Sequence, residues 1–347
     1  MNLFRAEWRR LFKRRITVGT LLGVVVVLGL VAGGIAISNQ KIGPEALAEA
    51  EAAAQAEYEE QLRWHEETID DQVAQCREEQ AAAEAAGEPS PWGEGFDCEM
   101  LREWVPVRED FQAEWYLPPT FSFRDGFESM IGVFAAILAL FGFLVGASFV
   151  GAEWRSGGMM NLLLWQPRRL RVLGTKLTTL LLGVLSVGVV LGAAWTGTFW
   201  LIATFRGVTD GMTAGVWQSM ALTGVRGLTL GLVAATIGFA LASIGRHTAM
   251  ALGAAVAAVI VGVAGVAIVV DLLGVRFGGA WLWPNYARAW LQRSLTFYDW
   301  RSCEFSFGRC EPAELVVTWQ VAGAGMAALV IVALGLAMWQ MRRRDVT

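Results

Sequence analysis

Residues 131–150 and 177–205 are uninterrupted apolar runs, each with the roughly 20 residues a helix needs to cross a bilayer. Similar runs cover 16–37, 217–245, 249–270 and 314–341, and the 131–150 run extends to 128–151. A chain with six such segments is expected to be an all-α polytopic membrane protein with six transmembrane helices. Composition agrees, since the 347 residues are 55 % hydrophobic and 17 % charged.

The segment between the second and third runs, 151–176, organises the rest. It carries Arg155, Arg168, Arg169, Arg171 and Lys176 against one acid, Glu153, and short basic loops stay on the cytoplasmic side. Within it, 152–165 has helical composition, with Trp154, Met159, Leu162 and Trp165 at spacings of three to five, and Pro167 stops the run. The pattern predicts a short helix lying along the cytoplasmic surface, then a turn and a basic entry to the next span.

Glu, a small-residue pair, Leu-Leu, Pro, Arg and a Lys entering a span, in that order, resemble the first cytoplasmic loop of type-2 ATP-binding-cassette exporter permeases. The matching positions are Glu153, Gly157, Gly158, Leu163, Pro167, Arg169 and Lys176. Many members read Gly-Thr where this chain has Gly157-Gly158. The resemblance implies that 152–176 holds a coupling helix docking into a separate ATPase subunit. It also implies a second permease subunit, identical or related, and ATP and Mg bound on the ATPase. No cofactor is expected on this chain, which lacks a G-x-x-x-x-G-K-[ST] loop.

Residues 2–15 put Leu3, Phe4, Trp8, Leu11 and Phe12 on one helical face and Arg5, Arg9, Arg10, Lys13 and Arg14 on the other. Such a helix lies in the headgroup layer; the plainer reading is a basic flank to the first span. In the family it resembles, an interfacial helix here, with Trp8, Arg9, Arg10 and Phe12, touches the ATPase. The 16–37 run exceeds a signal-peptide core and reads as an uncleaved anchor. Both termini are then cytoplasmic in a multi-pass protein of the cell membrane, with 342–347 a basic tail.

Residues 38–127 form the first external region. Between 38 and 125 there are 22 acids and 6 bases, a net charge of −16 that the overall −4 conceals. An acidic soluble region argues against a nucleic-acid partner. From Pro44 to Ala86 the sequence is dominated by Ala, Glu and Gln, with Leu47, Ala54, Tyr58, Leu62, His65, Ile69, Val73 and Cys76 in one stripe. After a turn at 87–91, Leu101, Trp104, Phe111 and Trp115 offer a returning face that Pro106 interrupts. A helical, coiled-coil-like hairpin is expected. The second external region, 271–313, is rich in Trp and Tyr, which favour the interface.

All four cysteines, Cys76, Cys98, Cys303 and Cys310, fall in these two regions, as disulfides in an oxidising compartment would. Local pairing of Cys76 with Cys98 and Cys303 with Cys310 is preferred, and cross-region connectivities stay open. No metal site is expected. Arg226 either snorkels from the outer boundary of the fourth span or contacts an anionic substrate along a path through the membrane. Gly29/Gly33, Gly142/Gly146, Gly188/Gly192 and Gly227/Gly231 are small-residue pairs that indicate close helix packing. No catalytic motif is present, so the chain is not expected to be an enzyme. The expected function is the permease of an ATP-driven exporter; the alternative is a membrane-anchored sensor or assembly scaffold whose external hairpin binds a partner.

Overall fold

The computed structural model describes residues 3–93, 95–165, 168–299 and 312–343. It contains six helices long and apolar enough to span a membrane: Arg15–Ser38 (α2), Phe123–Arg155 (α4), Arg169–Arg206 (α6), Ala214–Gly245 (α7), Thr248–Leu272, and Trp319–Arg343 (α11). The fifth is built from Thr248–Val259 (α8), a π-helical turn over Ile260–Gly265, and Val266–Leu272 (α9). Leu3–Lys13 (α1) precedes the first span, and Gly158–Trp165 (α5) sits between the second and third. The chain divides into two compact units, residues 36–121 with 205–208, and the remainder.

The larger unit is assembled around α4 and α7, which approach closely enough that glycine is required between them. A Cβ on Gly142 would lie 2.5 Å from the Gly231 carbonyl oxygen, one on Gly146 2.2 Å from that of Ala235, and one on Gly238 2.4 Å from that of Phe143. Two of the small-residue pairs thus face each other, the packing that lipid solvent favours because it offers no hydrophobic drive between helices. Gly188, from a third pair, receives the side chains of Leu138 and Leu228. By contrast, a Cβ on Gly29 or Gly33 would meet nothing within 4 Å. Aromatic rings join α6 to α4: Trp195 stacks on Phe134 and Phe199 packs on Phe127, while the Trp195 indole donates to the Met130 carbonyl.

Across the second external region, residues 271–299 and 312–318 contain regular elements. A 3₁₀ turn at Gly278–Trp281 leads into Trp283–Gln292 (α10), and Ser294–Asp299 (β1) pairs antiparallel with Ala313–Thr318 (β2), Ser294 opposite Thr318. The last span therefore starts at Trp319 instead of 314, because the β-branched run Val316-Val317-Thr318 extends as a strand. The α10 helix lies against the middle of the spans. Its Trp283 indole donates to the carbonyl of Ala258 beside the π turn, and its Trp290 indole donates to the Arg226 carbonyl and Thr229 Oγ1.

In the smaller unit, Pro44–Ala86 (α3) is one helix of 43 residues, about 65 Å long. Pro44 starts it. Gly87, at φ 69°, ends it, with Gly87 and Glu88 N–H groups returning to the Glu84 and Ala83 carbonyls. Its buried face holds Ala50, Ala54, Ile69, Val73 and Cys76, with Leu47 exposed. The return limb is not a second helix. It consists of 3₁₀ turns at Cys98–Glu103, Arg108–Asp110 and Ala113–Tyr116, since Pro106, Pro118 and Pro119 remove the donors a helix would use. A coiled-coil hairpin is thus replaced by one helix and a stapled strap. Of its apolar residues Leu101 is buried, Phe111 packs edge-on against Tyr58, and Trp104 and Trp115 are exposed.

Cys76 and Cys98 form a disulfide, and Ile69, Val73 and Leu101 pack around it with Trp92 and Phe96. Cys303 and Cys310 lie outside the described residues. Closing a loop of sequence separation 22 stabilises the unit by about 3 kcal/mol. The double variant Cys76→Ser/Cys98→Ser is expected to open residues 87–104 to proteolysis while leaving the spans folded. Limited digestion followed by mass spectrometry reads this out, and unchanged protection would refute it.

Candidate functional site

The basic loop and the N-terminal helix meet in a buried ionic cluster. On α1, Arg5, Arg9, Arg10 and Lys13 are exposed, while Phe4, Trp8 and Phe12 pack in series as tilted rings with centroids 5.9 and 5.1 Å apart. Glu7 and Leu11, one turn apart, are buried. Leu11 fills the space a side chain at Gly183 of α6 would take, with Cδ2 2.4 Å from the position of a Cβ there. This seating brings Glu7 to Lys176 on the second turn of α6.

Lys176 Nζ donates to Glu7 Oε2 at 2.7 Å and lies 2.6 Å from Glu153 Oε2 on α4. The second approach is a charge contact outside hydrogen-bond angles. The side chains of Glu7 and Lys176 are fully buried. Arg14, between α1 and α2, completes the cluster. Its Nη2 pairs with Glu153 Oε1, and Nη1 donates to the Phe149 and Ser148 carbonyls at 2.8 and 3.2 Å. Both cations also lie over the Phe149 ring, at 4.9 Å for Arg14 and 5.1 Å for Lys176. Desolvation lowers the Arg14 pKa, and the charges of Glu153 and Glu7 oppose that shift. A guanidinium starts so high that it stays charged.

Glu7, Glu153, Arg14 and Lys176 thus tie α1, α4 and α6 together, and the exposed Arg10 adds a contact to Glu7 Oε1 at 3.3 Å. Other tethers converge at the same end of the bundle. A Cβ on Gly151 would lie 2.4 Å from Thr248 Oγ1 at the start of α8. The Arg246 guanidinium covers the Trp154 ring at 4.8 Å. Arg169 Nη1 donates to the Met341 carbonyl at the end of α11, where a cation is favoured by the helix dipole.

The expected surface helix is interrupted. α4 runs on to Arg155, and the break falls at Ser156-Gly157, where Gly157 takes φ 71°, a conformation most side chains resist. Gly158 then opens α5. Of the seven loop positions singled out by sequence, Glu153 and Lys176 are in the cluster, Gly157 and Gly158 lie at the break between α4 and α5, and Arg169 reaches α11. Pro167 and the side chain of Leu163 lie outside the described residues. The outward face carries Arg155, Ser156, Met160, Asn161 and Leu164, with Leu164 81 % exposed.

Sequence reasoning missed Glu7 and misassigned Arg14 to an exposed basic face. The available signal was Glu7 as the lone acid of residues 2–15. Arg226 sits well inside α7, its guanidinium over the Trp319 ring at 5.6 Å. Among the described residues, no three His, Cys, Asp or Glu side chains converge as metal ligands would. No family model matches this chain, and no curated protein matches it.

Proposed function

We propose that this chain is the permease subunit of an ATP-driven exporter in the cell membrane, working as a pair with an identical or related subunit. ATP and Mg bind to a separate ATPase. In this reading α1 lies at the cytoplasmic interface, α5 is the coupling helix, and the disulfide-stapled α3 unit is external. Six spans bracketed by basic ends support the orientation.

The observation that carries the reading is the mounting of α5. A short helix with an exposed apolar tip hangs between two spans, hinged at Gly157, while the spans on either side are locked to α1 by the buried cluster. A partner pushing on the tip would move α1, α4 and α6 together, and α4 carries α7 with it through their glycine contact. That is what a motor outside the bundle requires.

The cluster also dictates the experiment. Reversing Glu153 or Lys176 would break the fold, so the informative substitutions are on the exposed face. With a cognate ATPase co-expressed, the full chain is expected to retain it through purification. Arg155→Glu/Leu164→Asp should reduce that retention roughly 30-fold, about 2 kcal/mol, while the chain still elutes as a single species. Full retention by this variant would refute the assignment of α5. A second reading, a membrane-anchored scaffold, is favoured by Trp64, Trp104 and Trp115, which are 55 %, 61 % and 67 % exposed in the α3 unit. Purification without any ATPase, yet with a partner lost on trimming that unit, would favour the scaffold.

A further inference from the structure

A cavity of about 1020 Å³ opens between α4, α7, α10 and α11, far from the ionic cluster. Small-molecule sites fall at roughly 300–1,000 Å³, so this one is large enough for a sizeable ligand. Asp125 and Ala139 both line it, so it extends about 21 Å along α4. Most of its wall is aliphatic, including Ala136, Ile237, Met326 and Leu329. Gly132 and Gly325 also border it, and a Cβ on either would meet nothing within 4 Å.

The charged groups in the lining are distributed unevenly. Asp125 and Glu128 sit on the first two turns of α4, and Arg288 projects from α10 on another wall. Asp125 accepts a hydrogen bond from Ser122 Oγ at 2.7 Å, which fixes the carboxylate at the helix start. Two carboxylates against one guanidinium give a cleft that is apolar along its length and negative at one end. All three charged side chains are exposed, so they are open to a ligand at the mouth of the cleft.

We infer that this cleft binds one membrane amphiphile whose headgroup bears an ammonium group. The ammonium sits at Asp125 and Glu128, the alkyl chain runs along Ala136, Ala139, Met326 and Leu329, and Arg288 takes an ester or phosphate oxygen of the same molecule. An anionic head without an amine would meet two carboxylates and be disfavoured. The inference concerns binding by this chain alone and stands whether or not an ATPase drives it.

The test is native mass spectrometry of the purified full-length chain in detergent, with phosphatidylethanolamine and phosphatidylglycerol of identical acyl chains. The amine lipid is expected to be retained about tenfold better. Asp125→Asn/Glu128→Gln should bring it down to the level of phosphatidylglycerol, whereas Gly325→Phe or Gly132→Phe should displace both lipids by filling the cleft. Equal retention of the two lipids by the unaltered chain overturns the inference and needs no variant to fold. Undiminished binding in both phenylalanine variants overturns it equally.

Discussion

Lys176→Met is expected to destabilise the chain by about 3–5 kcal/mol, even though methionine suits an apolar interior better than lysine. The reason is what it leaves behind. Glu7 Oε2 would lose its 2.7 Å donor, leaving Glu7 only Arg10 at 3.3 Å from Oε1, and Glu153 would keep only Arg14. Two carboxylates would then sit largely out of water, each short of a partner. The double variant Glu7→Gln/Lys176→Met removes one acid and one base together, leaves Glu153 paired with Arg14, and is expected to recover most of the loss, since a buried ion pair contributes little beyond an apolar replacement. Unfolding in detergent, followed by circular dichroism, measures both. If Lys176→Met alone falls within 1 kcal/mol of the parent, about the effect of an exposed pair, the cluster does not hold the helices together.

Gly146→Ala is the second large effect, and it sets two opposed terms against each other. Alanine favours a helix over glycine by about 1 kcal/mol. Its methyl group, however, would stand 2.2 Å from the Ala235 carbonyl oxygen, which is backbone and cannot swing away. The helices must separate along the contact that also includes Gly142, Gly231 and Gly238, costing about 3 kcal/mol or more. The net expectation is destabilisation by at least ~2 kcal/mol in the same unfolding assay. Gly29→Ala, in an identical sequence pattern with nothing within 4 Å, is expected to be neutral or slightly stabilising. Equal behaviour of the two variants would show that the pattern, and not the contact, matters.

The cluster ties α1 and α6 to the Glu153 end of α4, and the glycine contact makes α4 and α7 a single body. In the transporter proposal, a push on α5 would be passed to the cleft wall formed by α4 and α7 through these two contacts.

What was legible in the sequence follows from local physics. Six apolar runs specify six long helices, because the length needed to cross a bilayer is a property of each run alone. The long α3 helix, its Pro44 start, its buried stripe through Cys76 and the preferred Cys76–Cys98 pairing were readable for the same reason. Among the four glycine pairs the motif was visible, but which pairs touch was not. Glu153 and Lys176 stood out by pattern, yet their partners did not, because Glu7 lies 169 residues from Lys176.

The sequence by itself determined where helices form, since periodicity, apolar length and helix-ending residues act over a few turns. Only the tertiary structure decided that two prominent loop charges are buried, that the strap opposite α3 is not a helix, and that α10 folds back to make a cleft with carboxylates at one end. Each of those outcomes depends on which distant groups come together, and the strength of a charge or the need for a glycine is set by that neighbourhood.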